Sequence, residues 1–177
     1  DVIYMVSYVM DASLLMKQIK ELRIDAKLFA GGAAGFAIPE FIDSAKDASE
    51  YVVTATVWSP QVAYPGAREF AEKFKKLHKD YPSYHGAEAY SAFYIIKDVL
   101  TRAKSMTPDD IRVAMKATNM MTAFGPIKFE DREGYTNQNF IDSLVMQVIN
   151  GQHETIWPPK YASKKYLFPI PRWRDRK

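Results

Sequence analysis

The sequence predicts an α/β fold: a parallel sheet flanked by helices. Three observations carry this. Short apolar, β-branched runs begin at Val2, Lys27 and Tyr51, roughly 25 residues apart. Stretches of helical periodicity lie between them. The resulting order of strand, helix, strand, helix, strand calls for right-handed crossovers in a parallel sheet.

Each element follows from its own residues. Val2-Ile3-Tyr4-Met5-Val6 is short and apolar, as a buried parallel strand is. Asp11 is a candidate N-cap for the helix behind it. Leu14, Leu15, Gln18, Ile19 and Leu22 recur at helical spacing, with Lys17, Lys20, Glu21 and Arg23 between them. A second strand is expected over Lys27–Ala30, ended by Gly31-Gly32-Ala33-Ala34-Gly35. Pro39 suits the first turn of a helix reaching Ala45. A third strand is expected over Tyr51–Val57.

Composition then turns helical. Phe70, Phe74 and Leu77 mark one apolar face. A longer helix is expected from Gly86 to Lys104, with Ala89, Phe93, Ile96 and Leu100 as its core stripe. Thr107-Pro108-Asp109-Asp110 combines an N-cap, Pro at the first helical position and acids at the positive end of the dipole. Ile127–Phe129 reads as a short strand and Arg132-Glu133-Gly134 as a turn. Phe140–Ile149 reads as a long strand, turned at Asn150-Gly151 so that His153–Trp157 pairs back. The residues after Trp157-Pro158-Pro159 form a Pro-rich, basic tail, expected to be solvated and loosely ordered.

Composition excludes several classes. At 47% hydrophobic and 25% charged residues, the chain is not disordered. No apolar run approaches the ~18 residues of a membrane-spanning helix. From Lys160 onward there are seven Lys/Arg and one acid, which leaves 17 basic and 20 acidic residues in the remainder. The mildly acidic body offers no broad basic face, so no nucleic-acid partner is expected. The absence of cysteine excludes disulfides and thiolate zinc sites.

Catalytic and cofactor motifs are missing. The Gly31–Gly35 loop joins a strand to a helix but lacks both phosphate-loop signatures. His78, His85 and His153 have no metal-ligand spacing, so no metal and no cofactor is expected. Glu130-Asp131-Arg132-Glu133 reads as an exposed turn. Tyr8, Phe36 and Trp58 each fall just after the carboxyl end of an expected parallel strand, where open α/β sheets hold ligands. They either line an apolar pocket there or plug the end of the sheet.

The run Asp1–Leu22, the Phe29-Ala30-Gly31-Gly32 loop, Tyr51–Pro60, the Tyr84–Leu100 helix, Gly125-Pro126-Ile127-Lys128-Phe129, Trp157-Pro158-Pro159 and Phe168-Pro169-Ile170-Pro171 together resemble one family. It is the type I periplasmic solute-binding proteins of ABC importers, in their leucine/isoleucine/valine-binding branch. The resemblance runs along essentially the whole chain. It implies two α/β lobes, parallel sheets flanked by helices, with hinge crossings between them. Only the carboxyl-terminal half of that fold would lie in this chain. Residues 1–56 would then be a second-lobe α/β segment, and residues 57–137 a mainly helical first-lobe segment. Residues 138–177 would return to the second lobe and add the tail.

The resemblance further implies a non-enzymatic, extracytoplasmic receptor, periplasmic or extracellular, with its signal peptide outside this chain. Its partners would be a small-molecule ligand, an ABC permease and the amino-terminal half of the same protein. A sensor domain of the same fold is the alternative. Tyr8 matches the position where amino-acid binders of the family use a Tyr on the ligand. Their acidic residue, which meets the ligand ammonium, matches Gly32 or Ala33. With no carboxylate in that loop, and with Tyr8, Phe36 and Trp58 as walls, the expected ligand is a small organic solute: a small carboxylic or aromatic acid, or an amino-acid-like compound.

Overall fold

A computed structural model describes residues 1–176. In chain order the elements are β1 (Val2–Val6), α1 (Val9–Glu21), β2 (Leu28–Gly32), α2 (Pro39–Ala45), β3 (Val53–Thr56), α3 (Ala67–His78), α4 (Tyr84–Arg102), α5 (Pro108–Lys116), β4 (Asn119–Thr122), β5 (Gly125–Lys128), β6 (Glu130–Arg132), β7 (Tyr135–Gln138), β8 (Leu144–Ile149) and β9 (Gln152–Trp157). They fall into two compact units, Asp1–Gln61 with Ser143–Lys177, and Val62–Asp142.

The first unit is built on one mixed sheet in the order β1-β2-β3-β8-β9. β1, β2 and β3 run parallel, and β8 and β9 join antiparallel. The parallel part follows from the crossovers through α1 and α2. The antiparallel part follows from the Asn150-Gly151 turn, where both residues take positive φ, 54° and 70°. The Glu50 carboxylate accepts from the Asn150 and Gly151 amides at 2.7 and 3.0 Å and holds that turn in place.

Alternation along β1 and β2 sends Ile3, Met5 and Phe29 toward the helices. There they join Met16, Phe36, Phe41, Val52 and Val148 in one core. Burying each large side chain contributes about 1.5–3 kcal/mol. Gln147 is buried beside this core with its amide satisfied. Its nitrogen donates to the Tyr51 and Leu167 carbonyls, both at 3.1 Å, and its oxygen accepts from the Leu167 amide at 2.8 Å.

The second unit is held by helices and short hairpins. Thr107 caps α5 as its sequence indicates, accepting from the Asp110 amide, with Pro108 at the first helical position. Arg102, at the end of α4, pairs with Asp98 and donates to the Ala114 carbonyl and the Thr118 hydroxyl. It thereby ties α4 to the end of α5. Phe70 on α3 stacks on Tyr90 of α4 with centroids 4.4 Å apart. Two hairpins, β4-β5 and β6-β7, complete the unit.

Several local expectations change. Asp11 is not the N-cap of α1; Tyr8 holds that place, and Asp11 sits in the first turn. The buried face of α4 is Ala87, Ser91 and Val99, whereas Phe93, Ile96 and Leu100 are exposed. Leu77 on α3 is exposed as well. β8 begins at Leu144 rather than Phe140, and β4, β6 and β7 add strands that the sequence reading lacked.

The tail is not loose. Ile170 is buried in the first unit's core, and its amide donates to the Lys27 carbonyl at 3.0 Å. The Trp173 indole donates to the Ile24 carbonyl at 2.8 Å. The Arg176 guanidinium lies 3.5 Å from the Trp173 ring centroid. These bonds hold Ile170, Trp173 and Arg176 against the first unit, whereas Lys164, Lys165, Arg172 and Arg174 stay exposed, as do Tyr166 and Phe168.

Candidate functional site

Because β1, β2 and β3 are parallel, their carboxyl ends share one edge of the sheet, with Val6 level with Gly32. Two segments leaving that edge are in backbone contact. Ser7 and Tyr8 connect β1 to α1, and Gly32 to Phe36 lead away from β2. Gly35 lies directly against the Ser7 carbonyl and the Tyr8 backbone, so any side chain there would overlap main-chain atoms. Only glycine permits this approach.

The five residues singled out by sequence separate into two groups. Tyr8 is 76% exposed at the head of α1, whose N-cap makes no side-chain bond. The first amides of α1 therefore point out of this edge without a side-chain acceptor. Gly32 is half-buried beneath the Tyr4 hydroxyl. Ala33 is exposed and holds φ 67° with ψ 174°. An L-residue in that region stores about 1–3 kcal/mol of backbone strain, a feature that clusters at ligand sites.

Phe36 and Trp58 belong to the interior. The Phe36 ring is fully buried, folded over Gly31 and 5.2 Å from Phe41. Its side chain is core, which corrects the expectation that it forms a wall. Trp58 is 2% exposed, and its carbonyl accepts from the Thr56 hydroxyl at 3.1 Å. At these two positions the aromatic residues fill space.

Two further residues act at this edge. The Ser7 hydroxyl oxygen is buried and has no hydrogen-bond partner among the described residues. Its place at the end of β1, one residue before Tyr8, was the available signal. His153 on β9 donates from Nε2 to the Phe36 carbonyl at 2.8 Å and so pins the far end of the Gly32–Phe36 segment. Burial pushes the His153 pKa below its ordinary value, and the bond to the Phe36 carbonyl opposes this only in part. Nothing local in the sequence marks His153. Its role depends on how β9 is placed against a loop more than a hundred residues away.

The segment from Gly31 to Gly35 carries no charged side chain. Among the described residues no group of His, Cys, Asp and Glu is arranged to hold a metal ion. No helix among them is long and apolar enough to cross a membrane.

Residues 1–152 match the family described as periplasmic binding protein. The chain belongs to the periplasmic binding protein family.

A curated relative of this periplasmic binding protein is the Leu/Ile/Val-binding protein homolog 8 of Brucella melitensis. It is 27% identical, over 95% of this chain and 43% of its own length. The chain thus spans less than half the length of the curated relatives it matches. Among solved structures, the leucine-binding protein LivK of Thermotoga maritima is similar at TM-score 0.74 and 26% identity, covering 87% of this chain and 43% of that one. A solute-binding protein of an R. palustris ABC transporter, solved with benzoate, is similar at TM-score 0.70 and 13% identity, covering 88% and 42%. At that identity the likeness speaks for the fold alone. The matched relatives are solute-binding proteins, not enzymes.

Proposed function

We propose that this chain is part of the extracytoplasmic substrate-binding component of an ABC importer, and that the whole protein binds a small organic acid by hinge closure. The two compact units, Asp1–Gln61 with Ser143–Lys177 and Val62–Asp142, then belong to different lobes. Ligand bridging the two lobes favours the closed form by its differential affinity.

The observation that carries the ligand class is the uncharged Gly31–Gly35 segment beside Tyr8. A free amino acid brings an ammonium into the cleft. Burying that charge without a carboxylate is costly. The same edge offers a buried, unpartnered Ser7 hydroxyl and the uncapped amino end of α1, both of which suit an anionic or polar acceptor. The exposed Tyr8 ring adds apolar contact. The benzoate bound by the R. palustris protein is a ligand of this class on the same fold.

The test is to install the missing charge. In the full-length protein, Ala33→Glu is expected to weaken binding of aromatic and aliphatic acids by about tenfold, or ~1.4 kcal/mol. It is expected to raise affinity for amino acids instead. An unchanged ligand preference, measured by calorimetry on both proteins, would remove this edge from the ligand site.

A further inference from the structure

The segment that leaves β2 is fastened at both ends and free in the middle. At its start Gly32 pairs in register with Val6 of β1. At its far end Gly35 lies against the Ser7 carbonyl, and the Phe36 ring is fully buried over Gly31. Between these anchors Ala33 is exposed and keeps φ 67° with ψ 174°. Backbone strain of this kind persists only where the surroundings over-determine it.

One of those constraints comes from the opposite side of the sheet. β2 is the second strand in spatial order and β9 the fifth. His153 of β9 stands opposite Val148 of β8, so its ring lies on the face that carries the core. There Nε2 meets the Phe36 carbonyl at 2.8 Å. A carbonyl only accepts, so Nε2 carries the proton. Burial disfavours the charged ring, which leaves a single N–H, and Phe36 takes it. Packing alone would need no polar atom at this position.

We propose that His153 is a positioning residue for the ligand edge: through the Phe36 carbonyl it holds Ala33 and Ala34 in the conformation that receives the ligand, and so sets affinity without touching the ligand. This rests on the reading of that edge as the solute site. With the bond in place, the segment is ordered before ligand arrives. Without it, the cost of ordering that backbone falls on binding.

The experiment compares His153→Leu and His153→Gln with wild type in the full-length protein. Gln carries an amide nitrogen at about the reach of Nε2 and donates to a carbonyl; Leu does not. Hydrogen exchange without ligand is read at Ala33–Phe36 and at Met146 and Val148 of β8, which pair with β9. In His153→Leu the Ala33–Phe36 amides are expected to exchange several-fold faster while the β8 amides keep their rate. Benzoate affinity, by calorimetry, is expected to fall about tenfold. His153→Gln should restore both readouts toward wild type. Unchanged exchange at Ala33–Phe36 in His153→Leu would overturn the proposal. So would equal acceleration of the β8 amides, or a Gln variant that behaves like Leu, since His153 would then act only by packing. Equal benzoate affinity in the wild type and the Leu variant would overturn it too. Failure of the wild type to bind benzoate would overturn instead the reading on which the proposal rests.

Discussion

The two units bury their side chains in different ways. Phe29, Phe36, Phe41, Met16, Leu144, Val52, Val148 and Trp58 are all essentially inaccessible in the first unit, and together they form or flank a continuous core. In the second, Val99 and Thr118 are the largest side chains buried to that degree among the described residues. Its cohesion rests more on specific bonds, such as the Arg102 fork and the Ser91 hydroxyl accepting from the Phe124 amide at 3.1 Å. The difference teaches that a compact unit need not be a finished one. The first unit encloses Met16 and Ile19 of α1 and Phe41 of α2 while Leu14 and Leu22 stay exposed, whereas the second presents Phe93, Ile96 and Leu100 along one side of its longest helix.

Substitutions in the two units are expected to differ in cost accordingly. The largest effect is expected in the first unit. Phe36→Ala empties a fully enclosed site next to Phe41. It should cost about 3–5 kcal/mol in denaturant-induced unfolding. A cost below ~1 kcal/mol would mean that this core is less closed than described. In the second unit, Ser91→Ala removes one acceptor from the Phe124 amide, which also lies 3.2 Å from the Thr122 hydroxyl. The expected loss is about 1 kcal/mol, read from the same unfolding curves. A loss equal to that of Phe36→Ala would erase the distinction between the units.

The smallest expected effect depends on pH. His153 has a lowered pKa in the folded protein because burial disfavours its charged form. Between its folded and unfolded pKa values the unfolded chain binds the extra proton. Stability is therefore intact above the unfolded value of about 6.5 and declines as the pH falls from there toward the folded value. Thermal melts of the wild type and His153→Gln across pH 5–7.5 should show this decline only in the wild type. Identical profiles would exclude His153 as its source. Since His153 holds the Phe36 carbonyl, the same acidification is expected to loosen the segment that carries Gly32 and Ala33.

Sequence disclosed most where chemistry is local. Thr107-Pro108 fixes the start of α5, Asn150-Gly151 fixes the β8-β9 turn, and the alternation at the amino end fixes the parallel strands. The family resemblance named the fold because several such local signals stand in one order. The α4 face was misread for a physical reason: Ala89, Phe93, Ile96 and Leu100 keep helical spacing as faithfully as the residues that are buried. Periodicity cannot choose between two apolar sides. The tail was misread because its partners, Ile24, Asp25 and Gln147, are distant in the chain. At the candidate edge, the end of an expected strand pointed to Tyr8, and the family resemblance pointed to Gly32 and Ala33. The burial of Phe36 and Trp58 and the reach of His153 needed the three-dimensional arrangement.

The ligand proposed for the strand-end edge with Tyr8, Gly32 and Ala33 is an acid that lacks an ammonium group. Calorimetric titration of the full-length protein with benzoate and with leucine, under one buffer condition, tests it most directly. Benzoate is expected to bind at least about tenfold more tightly than leucine. Leucine binding tightly while benzoate gives no heat would contradict it.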